Sequence, residues 1–330
     1  MAQSFPKARV NQLIGEDFGQ SLENVGFGII DGLLGSDWTN GLRQEIKKLY
    51  DQGLLVPNKT YYEGRKDENG RFVYGYSVSK PNVHELDLST IELQKRKELD
   101  IPHLNALYED ETIQKSINRA APDFNITKLD IKIQYNAGEG GCFPMHFDTT
   151  TNVSKRRVTG TLYLNPDWIP EHGGQLRVYP FPYDIMDVDP LNDRLVLFSS
   201  HETLHRVMPS HAPARYCITL WYYVDQDSPQ SLQIPRFSWL RQVEGIGFLL
   251  NPNTRKLLSK IVYDNHWRES VRQSFGEQKE EIEKILANHN KEVEHIKKQL
   301  SPEILDFLLQ CVPLAHGEDF LKLARPIKGE

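Results

Sequence analysis

His146 and Asp148 are the two side chains whose types and spacing could do metal chemistry. They stand in the segment CFPMHFDTT, residues 142 to 150, with only Phe147 between them. On a β-strand, residues two apart point to the same face, so the imidazole and the carboxylate would project together. Two such donors need a third before they hold a metal. A strand histidine beside a surface acid would show the same spacing.

Four later histidines could supply the third donor. Two imidazoles and one carboxylate bind one face of an octahedral Fe(II) and leave three positions for a co-substrate and O₂. Spacing alone does not choose among the four, which are His172, His201, His205 and His211.

Arg215 could bind an anion beside such a metal. It stands ten residues after His205, and on a strand it shares a face with Cys217, Thr219 and Trp221. A guanidinium inside a barrel is costly unless an anion pairs with it. A dicarboxylate with one end on the metal and the other on Arg215 would meet both needs. An exposed arginine at the start of a strand is the alternative.

Short strands in residues 126–225 must position these side chains. Thr159, Thr161 and Tyr163 alternate on one of them, and their hydroxyls would need partners if buried, from a bound carboxylate or from ordinary packing. Several strands at this spacing predict an antiparallel sandwich or jelly roll. The five segments with period-two alternation are KLDIKIQY, RRVTGTLYLN, GQLRVYP, DRLVLFSS and RYCITLWYYV.

Residues 1–125 are predicted to form a helix and strand support region. VGFGIIDGLL predicts a short buried strand, and Ser36 is a predicted N-cap for a helix that ends near Gly53. The apolar face of that helix is predicted at Leu42, Ile46 and Leu49. Residues 56–82 are predicted to be a loop with a hairpin turn at Asn69-Gly70.

Residues 226–330 are predicted to form a C-terminal helical extension. An apolar seam with coiled-coil spacing runs through positions 282, 286, 289, 293, 296 and 300. Ser301-Pro302 then predicts the start of another helix. A helical hairpin packed on the body of the protein is expected, and these helices are candidates for a protein contact.

Bulk composition narrows the class of protein. The chain has 330 residues, 39% hydrophobic and 25% charged, which suits one large domain with an appendage or two domains. A net charge of −6 argues against a nucleic-acid or anionic-membrane binder. The three cysteines show no CxxC spacing, and the sequence has neither an N-terminal apolar region nor a segment that could span a membrane. These features predict a cytoplasmic protein, with the nucleus as the alternative.

The run from Tyr135 to Tyr223 resembles the Fe(II)- and 2-oxoglutarate-dependent prolyl 4-hydroxylases, most closely the hypoxia-inducible-factor (oxygen-sensing) type. Residues 1–125 resemble them more faintly through GFGIIDGLLG, and residues 226–330 show no resemblance. The family implies a mainly β fold with α (α+β), with a double-stranded β-helix (jelly-roll) core between an N-terminal helical buttress and a C-terminal extension. Six motifs carry the resemblance in order: HFD, TLYLNPDW, GGQLRVYP, DRLVLFSS, HRVMP and RYCITLWYY.

The resemblance implies a ligand set and an anchor for the co-substrate. It selects His205, in HRVMP, as the third Fe(II) ligand beside His146 and Asp148. It assigns the distal carboxylate of 2-oxoglutarate to Arg215 and Tyr163.

The resemblance also implies how the pocket is lined. Tyr135 is expected near the metal end of 2-oxoglutarate, Thr219 in the pocket and Leu176 as an apolar wall. Trp221 is expected near the substrate opening.

The implied activity is hydroxylation of a peptidyl proline, coupled to oxidative decarboxylation of 2-oxoglutarate to succinate and CO₂. O₂ is the oxidant and L-ascorbate the expected reductant. Asp148 favours hydroxylation, because related halogenases lack this carboxylate, and Arg215 favours the oxygen-sensing branch, because the collagen-type branch usually carries lysine there. Residues 56–82 do not match the mobile loop of the oxygen-sensing enzymes.

Two alternatives stay open. The first is the same chemistry on another protein residue or on a small molecule. The second is a non-catalytic jelly-roll binding module, against which the complete ligand set and Arg215 argue.

Overall fold

The computed structural model describes residues 4–329 except 63–64, 67, 69–71, 74, 150–154, 182, 226–257 and 311–315. Two β-sheets enclose a pocket between them, and helices cover the larger sheet and one end of the smaller one. The predicted mixture of a β core with supporting helices is confirmed.

The larger sheet has eight strands. They are β1 (Phe27–Asp31), β2 (Val56–Tyr62), β5 (Tyr76–Asp87), β6 (Lys128–Asn136), β8 (Arg156–Tyr163), β11 (Arg194–Ser199), β13 (Arg215–Tyr223) and β14 (Ile327–Lys328). Their order is β14-β1-β11-β8-β13-β6-β5-β2. All neighbours are antiparallel except β1 and β14, which are parallel.

The smaller sheet carries the two histidine ligand candidates. Its strands are β7 (Gly141–His146), β9 (Leu176–Val178), β10 (Met186–Val188) and β12 (His205–Ser210). Their order is β10-β9-β12-β7, so β7 lies at the edge. The five predicted strand segments are all present, as β6, β8, β9, β11 and β13, whereas β10 and β12 were not among them.

Helices from residues 1–125 cover the outer face of the larger sheet. They are α1 (Lys7–Leu13), α2 (Glu16–Asn24), α3 (Ser36–Asp51), α4 (Leu93–Glu98), α5 (Pro102–Glu109) and α6 (Thr112–Ala120). Leu42, Ile46 and Leu49 of α3 are fully buried in this core, as predicted. The predicted cap at Ser36 is wrong, because Gly35 takes the N-cap position and Ser36 is the first helical residue.

The predicted loop at 56–82 is largely a long hairpin. β2 and β5 pair antiparallel from Val56 opposite Glu85 to Tyr62 opposite Tyr76, so β5 bridges β2 to the rest of the sheet. Two short strands, β3 (Arg65–Lys66) and β4 (Phe72–Val73), pair near its tip. The predicted turn at Asn69-Gly70 lies outside the described residues.

The C-terminal helices pack on the body of the protein. They are α7 (Asp264–Ser274), α8 (Lys279–Lys297), α9 (Pro302–Gln310) and α10 (Glu318–Leu323). The predicted seam of α8 is buried at His289, Val293 and Ile296, and Pro302 begins α9 as predicted. Across the described part of the chain, no helix has the length and apolar character needed to cross a membrane.

Candidate metal centre and pocket

The structure brings His146, Asp148 and His205 together at one end of the pocket. Their ligand atoms lie within 4.8 Å of one another. Oδ1 of Asp148 is 3.2 Å from Nε2 of His146 and 3.6 Å from Nε2 of His205. The two imidazoles meet because β7 and β12 pair with His205 opposite His146. The other three candidate histidines of the sequence take no part in this group, namely His172, His201 and His211.

The backbone fixes which ring nitrogen faces the site. Nδ1 of His146 lies 2.7 Å from the carbonyl of Pro144, and Nδ1 of His205 lies 3.0 Å from the carbonyl of Thr203. A carbonyl only accepts, so each Nδ1 carries the proton and each Nε2 presents its lone pair. This tautomer is the one that a metal requires from both rings.

Asp148 and His205 hold the protonation states that suit a cation. Burial alone would raise the pKa of Asp148, but its contact with His146 and its attraction to His205, His146 and Arg156 hold that pKa below its usual range. Burial, and then the neighbouring His146, lower the pKa of His205 to about 4. Near neutral pH, Asp148 is therefore an anion and His205 is neutral, as metal ligands must be.

A hydrogen bond to its second carboxylate oxygen also fixes the position of Asp148. Its Oδ2 accepts a hydrogen bond from Oγ1 of Thr159. That hydroxyl lies 2.8 Å from Oγ of Ser200, so a short chain of hydroxyls fixes the carboxylate.

The register between β8 and β13 orders the pocket from the metal centre to Arg215. Trp221 lies opposite Thr159 at the metal end, and Cys217 lies opposite Tyr163 farther along. Arg215 precedes Cys217 by two residues on β13, so it lies still farther from the metal end, and it also lines the pocket. The four residue steps of strand from Thr159 to Tyr163 span about 13 Å. The pocket is thus a narrow slot, about 110 Å³, between a metal centre and a guanidinium.

The guanidinium of Arg215 is buried, and no carboxylate among the described residues forms an ion pair with it. Arg215 is 4% exposed, and its Nε donates to the carbonyl of Gly174 at 3.0 Å. Its Nη2 is buried and has no hydrogen-bond partner among the described residues. A Cβ at Gly174, where φ is +74°, would come within 2.9 Å of Cδ of Arg215, so glycine allows this close approach. The unpaired donor indicates that an anion belongs in the pocket.

Tyr163 offers a second donor near Arg215. The guanidinium carbon of Arg215 is 5.1 Å from the centre of its ring. Burial raises the pKa of Tyr163 to about 12, so the phenol stays protonated. Its oxygen accepts from Thr161 Oγ1 at 3.2 Å, which leaves the phenolic hydrogen for another acceptor. Thr219, Leu176 and Trp221 also line the pocket.

The predicted position of Tyr135 is wrong. β6 and β13 pair with Tyr135 opposite Tyr216, so both residues take the face away from the pocket. The ring of Tyr135 packs instead on Tyr50, with ring centres 4.0 Å apart. Its neighbour Gln134 faces the pocket in its place.

One wall of the pocket is polar and was not predicted from the sequence. It is formed by residues of the first 125 and of β6. Asn58, Glu85 and Lys132 line the pocket, and Glu85 bridges the other two by accepting from both, with Lys132 Nζ at 3.1 Å. Nζ of Lys132 also lies 4.9 Å from the ring centre of Trp221. Period-two alternation in β5 and β6 could have indicated that Glu85 and Lys132 face inward, but not that β5 pairs with β6.

Comparison with known proteins shows which protein family the chain resembles. Residues 132–223 match the sequence model of the 2OG-Fe(II) oxygenase superfamily. A hypoxia-inducible factor prolyl hydroxylase from Caenorhabditis elegans is 30% identical over 243 residues, covering 70% of this chain and 31% of that protein. The chain thus spans about a third of the length of that relative.

Two solved structures show the same fold. A prolyl 4-hydroxylase from Phytophthora capsici superposes with a TM-score of 0.73 at 27% identity, over 94% of this chain and 96% of that one. A prolyl hydroxylase from Trichoplax adhaerens, in complex with a peptide fragment of the hypoxia inducible factor oxygen degradation domain, gives 0.50 at 26% identity, over 66% and 90%.

Residues 132–223 therefore belong to the 2OG-Fe(II) oxygenase superfamily, whose core is a jelly roll. Within it the chain is a relative of the prolyl hydroxylases. The fold class and the family predicted from the sequence are confirmed. The cofactors of this superfamily are Fe(II), 2-oxoglutarate and O₂, which the two-histidine, one-carboxylate donor set and the unpaired Arg215 fit.

Proposed function

We propose that this protein is an Fe(II)- and 2-oxoglutarate-dependent dioxygenase that hydroxylates a proline residue in a protein or peptide. The observation that carries the proposal is the slot with metal ligands at one end and the unpaired, buried Arg215 at the other. A dicarboxylate with a ketoacid at one end satisfies both ends at once.

His146, Asp148 and His205 would hold Fe(II), which supplies the oxidative chemistry together with 2-oxoglutarate and O₂. Asp148 contributes the carboxylate that distinguishes a hydroxylase from a halogenase. Thr159 and the carbonyls behind the imidazoles keep the donors aimed inward.

Arg215 and Tyr163 bind and orient the distal carboxylate of 2-oxoglutarate. Arg215 supplies the charge and the unpaired Nη2 donor, and Tyr163 supplies a phenolic hydrogen. Because both side chains are buried, the contact excludes water and fixes one orientation of the co-substrate. L-ascorbate remains the expected reductant of oxidised iron.

The nature of the relatives supports a peptidyl proline as substrate. The three relatives above are named as prolyl or prolyl 4-hydroxylases, and one was solved with a peptide. The expected opening at Trp221, with Lys132 beside it, offers an aromatic surface and a charged group to a polypeptide.

Turnover of 2-oxoglutarate tests the proposed chemistry, and mass spectrometry tests the target. Proteins captured by a His205→Ala variant would be incubated with the wild type, Fe(II), 2-oxoglutarate and ascorbate. We expect Fe(II)-dependent succinate and a gain of one oxygen atom on a proline. Oxygen on another residue would select the first alternative activity. If succinate stays at background with every substrate and His205→Ala does not change it, the non-catalytic binding module is the remaining alternative.

We also propose a cytoplasmic location, with the nucleus as the alternative, and a protein contact through the C-terminal helices. Phe307 and Leu309 on α9 are 42% and 61% exposed, which supports such a contact.

A further inference from the structure

Helix α7 lies against the edge strand that carries His146. An edge strand leaves backbone N–H groups without a partner from the sheet. Here the N–H of Met145 donates to Oγ of Ser270 at 3.0 Å. Met145 is 1% exposed and Ser270 is fully buried, so water does not replace this bond.

The same peptide unit orients the imidazole of His146. The carbonyl of Pro144 accepts from Nδ1 of His146 at 2.7 Å. That carbonyl and the N–H of Met145 belong to one planar peptide group. Ser270 therefore holds one end of a rigid plane whose other end sets the direction of the ring.

Ser270 is itself held in place. Its hydroxyl hydrogen is directed to the carbonyl of Trp267, at 2.7 Å, so a lone pair is left for Met145. One turn later, Gln273 accepts from Arg206, the fully buried residue that follows the ligand His205. Helix α7 thus contacts both strands that carry the imidazoles.

An apolar cluster fixes α7 between the small sheet and the hairpin. Val271 and Phe275 pack with Val78 of β5 and with Ile285 of α8. Gln278, just after α7, donates to the carbonyl of Ser79 at 2.7 Å. The helix therefore has little freedom to move relative to the strand that it supports.

We infer that Ser270 is a positioning residue for the metal centre, acting on His146 through the peptide group between Pro144 and Met145. This inference rests on the proposed metal site. It gives part of the C-terminal extension, which lies outside the matched residues 132–223, a role in metal affinity. Hydrogen-bond partners behind metal ligands typically change affinity by 10–100-fold.

Metal titration of Ser270→Ala against Ser274→Ala tests the inference. Ser274 is a matched control, because it lies one turn along α7, is 1% exposed, and its hydroxyl contacts Sγ of Cys142, four residues before His146. We expect Ser270→Ala to weaken Co(II) binding about tenfold or more and to alter the Co(II) absorption spectrum. We expect Ser274→Ala to bind Co(II) like the wild type. Unfolding of both metal-free variants by urea measures the general cost of losing a buried hydroxyl.

Equal Co(II) affinity and spectra in the two variants would overturn the inference. Absence of Co(II) binding in the wild type, or binding unaffected by His146→Ala, would instead overturn the proposed metal site. Ser270→Cys, which keeps the shape with a weaker acceptor, should give an intermediate affinity.

If Ser270→Ala does not fold, hydrogen exchange of the Met145 amide in the wild type tests the inference instead. Coupling is reciprocal, so Zn(II) binding should slow exchange of the Met145 amide relative to the metal-free protein. Unchanged exchange of that amide on saturation with Zn(II) would overturn the inference.

Discussion

At the scale of residues, Arg215 is a side chain whose environment a bound anion would change. It is a buried cation with an unpaired donor, so it costs stability until an anion binds. We predict that Arg215→Ala raises the KM for 2-oxoglutarate at least about tenfold, because a charged hydrogen bond contributes about 1.5–3 kcal/mol. Steady-state kinetics measures the KM, and urea unfolding of the metal-free protein should show no loss of stability.

Arg194 provides the control for that prediction. It is buried like Arg215, at 8% exposure against 4%, but it is paired with Asp31 through two bonds of 2.6 and 2.9 Å. Arg194→Ala should destabilise the protein and leave the KM for 2-oxoglutarate unchanged. The opposite pattern, with Arg215→Ala unstable and kinetically normal, would show that Arg215 has a structural role.

The buried Lys80 makes the stability of the folded protein depend on pH in the alkaline range. Burial lowers the pKa of Lys80 from 10.5 to about 8. Between these two pKa values the unfolded chain holds a proton that the folded chain has lost, so stability rises with pH across this window, by at most about 3 kcal/mol. Urea unfolding of wild type and Lys80→Met between about pH 8 and pH 10 measures the difference.

In Lys80→Met this rise should be absent, whereas Lys115→Met, at an exposed lysine, should keep it. Parallel stability curves for wild type and Lys80→Met would refute the assignment.

At the scale of elements, period-two alternation was sufficient for five of the strands, whereas the family resemblance was needed to select His205 as a ligand. His146 ends β7 and His205 begins β12, and the pairing of these two strands brings the imidazoles together. Asp148 lies two residues beyond the end of β7. Tyr135 shows the limit. A shift of one residue in a strand moves a side chain to the other face, and motif spacing did not fix that register.

Contacts between distant parts of the chain could not be predicted. Glu85 reaches Lys132 only because β5 pairs with β6, and Ser270 reaches Met145 across 125 residues. A hydroxyl on a helix surface carries no sequence signal for the backbone group that it will bind. The polar wall and the support of β7 were therefore absent from the predictions.

Glu45 on α3 organises the start of α5. Its carboxylate accepts from the backbone N–H groups of His103 and Leu104, at 2.9 and 2.8 Å. These are unsatisfied donors at a helix start, so we predict that Glu45→Ala costs about 1–2 kcal/mol of unfolding free energy. Turnover per folded molecule should not change, because Glu45 lies outside the pocket lining.

Glu111→Ala, which removes an exposed pair with Lys115, is the comparison and should cost less than about 1 kcal/mol. Equal losses in the two variants would contradict the role of Glu45 at α5.

At the scale of the whole molecule, the site is assembled from three parts of the chain. The hairpin and β6 supply the polar wall, the jelly roll supplies the metal ligands and Arg215, and α7 supports the strand of His146. Substitutions in the C-terminal helices should therefore change metal affinity, although no residue of α7 is among the ligands.

The most direct test of the proposed activity is a reaction under isotopically heavy O₂ with a captured polypeptide substrate. One heavy oxygen atom should appear on a proline and one in succinate, in equal amounts and only with Fe(II). Arg215→Ala should lower both products together at limiting 2-oxoglutarate. Heavy oxygen in neither product, with metal and 2-oxoglutarate bound, would contradict the proposed dioxygenase activity.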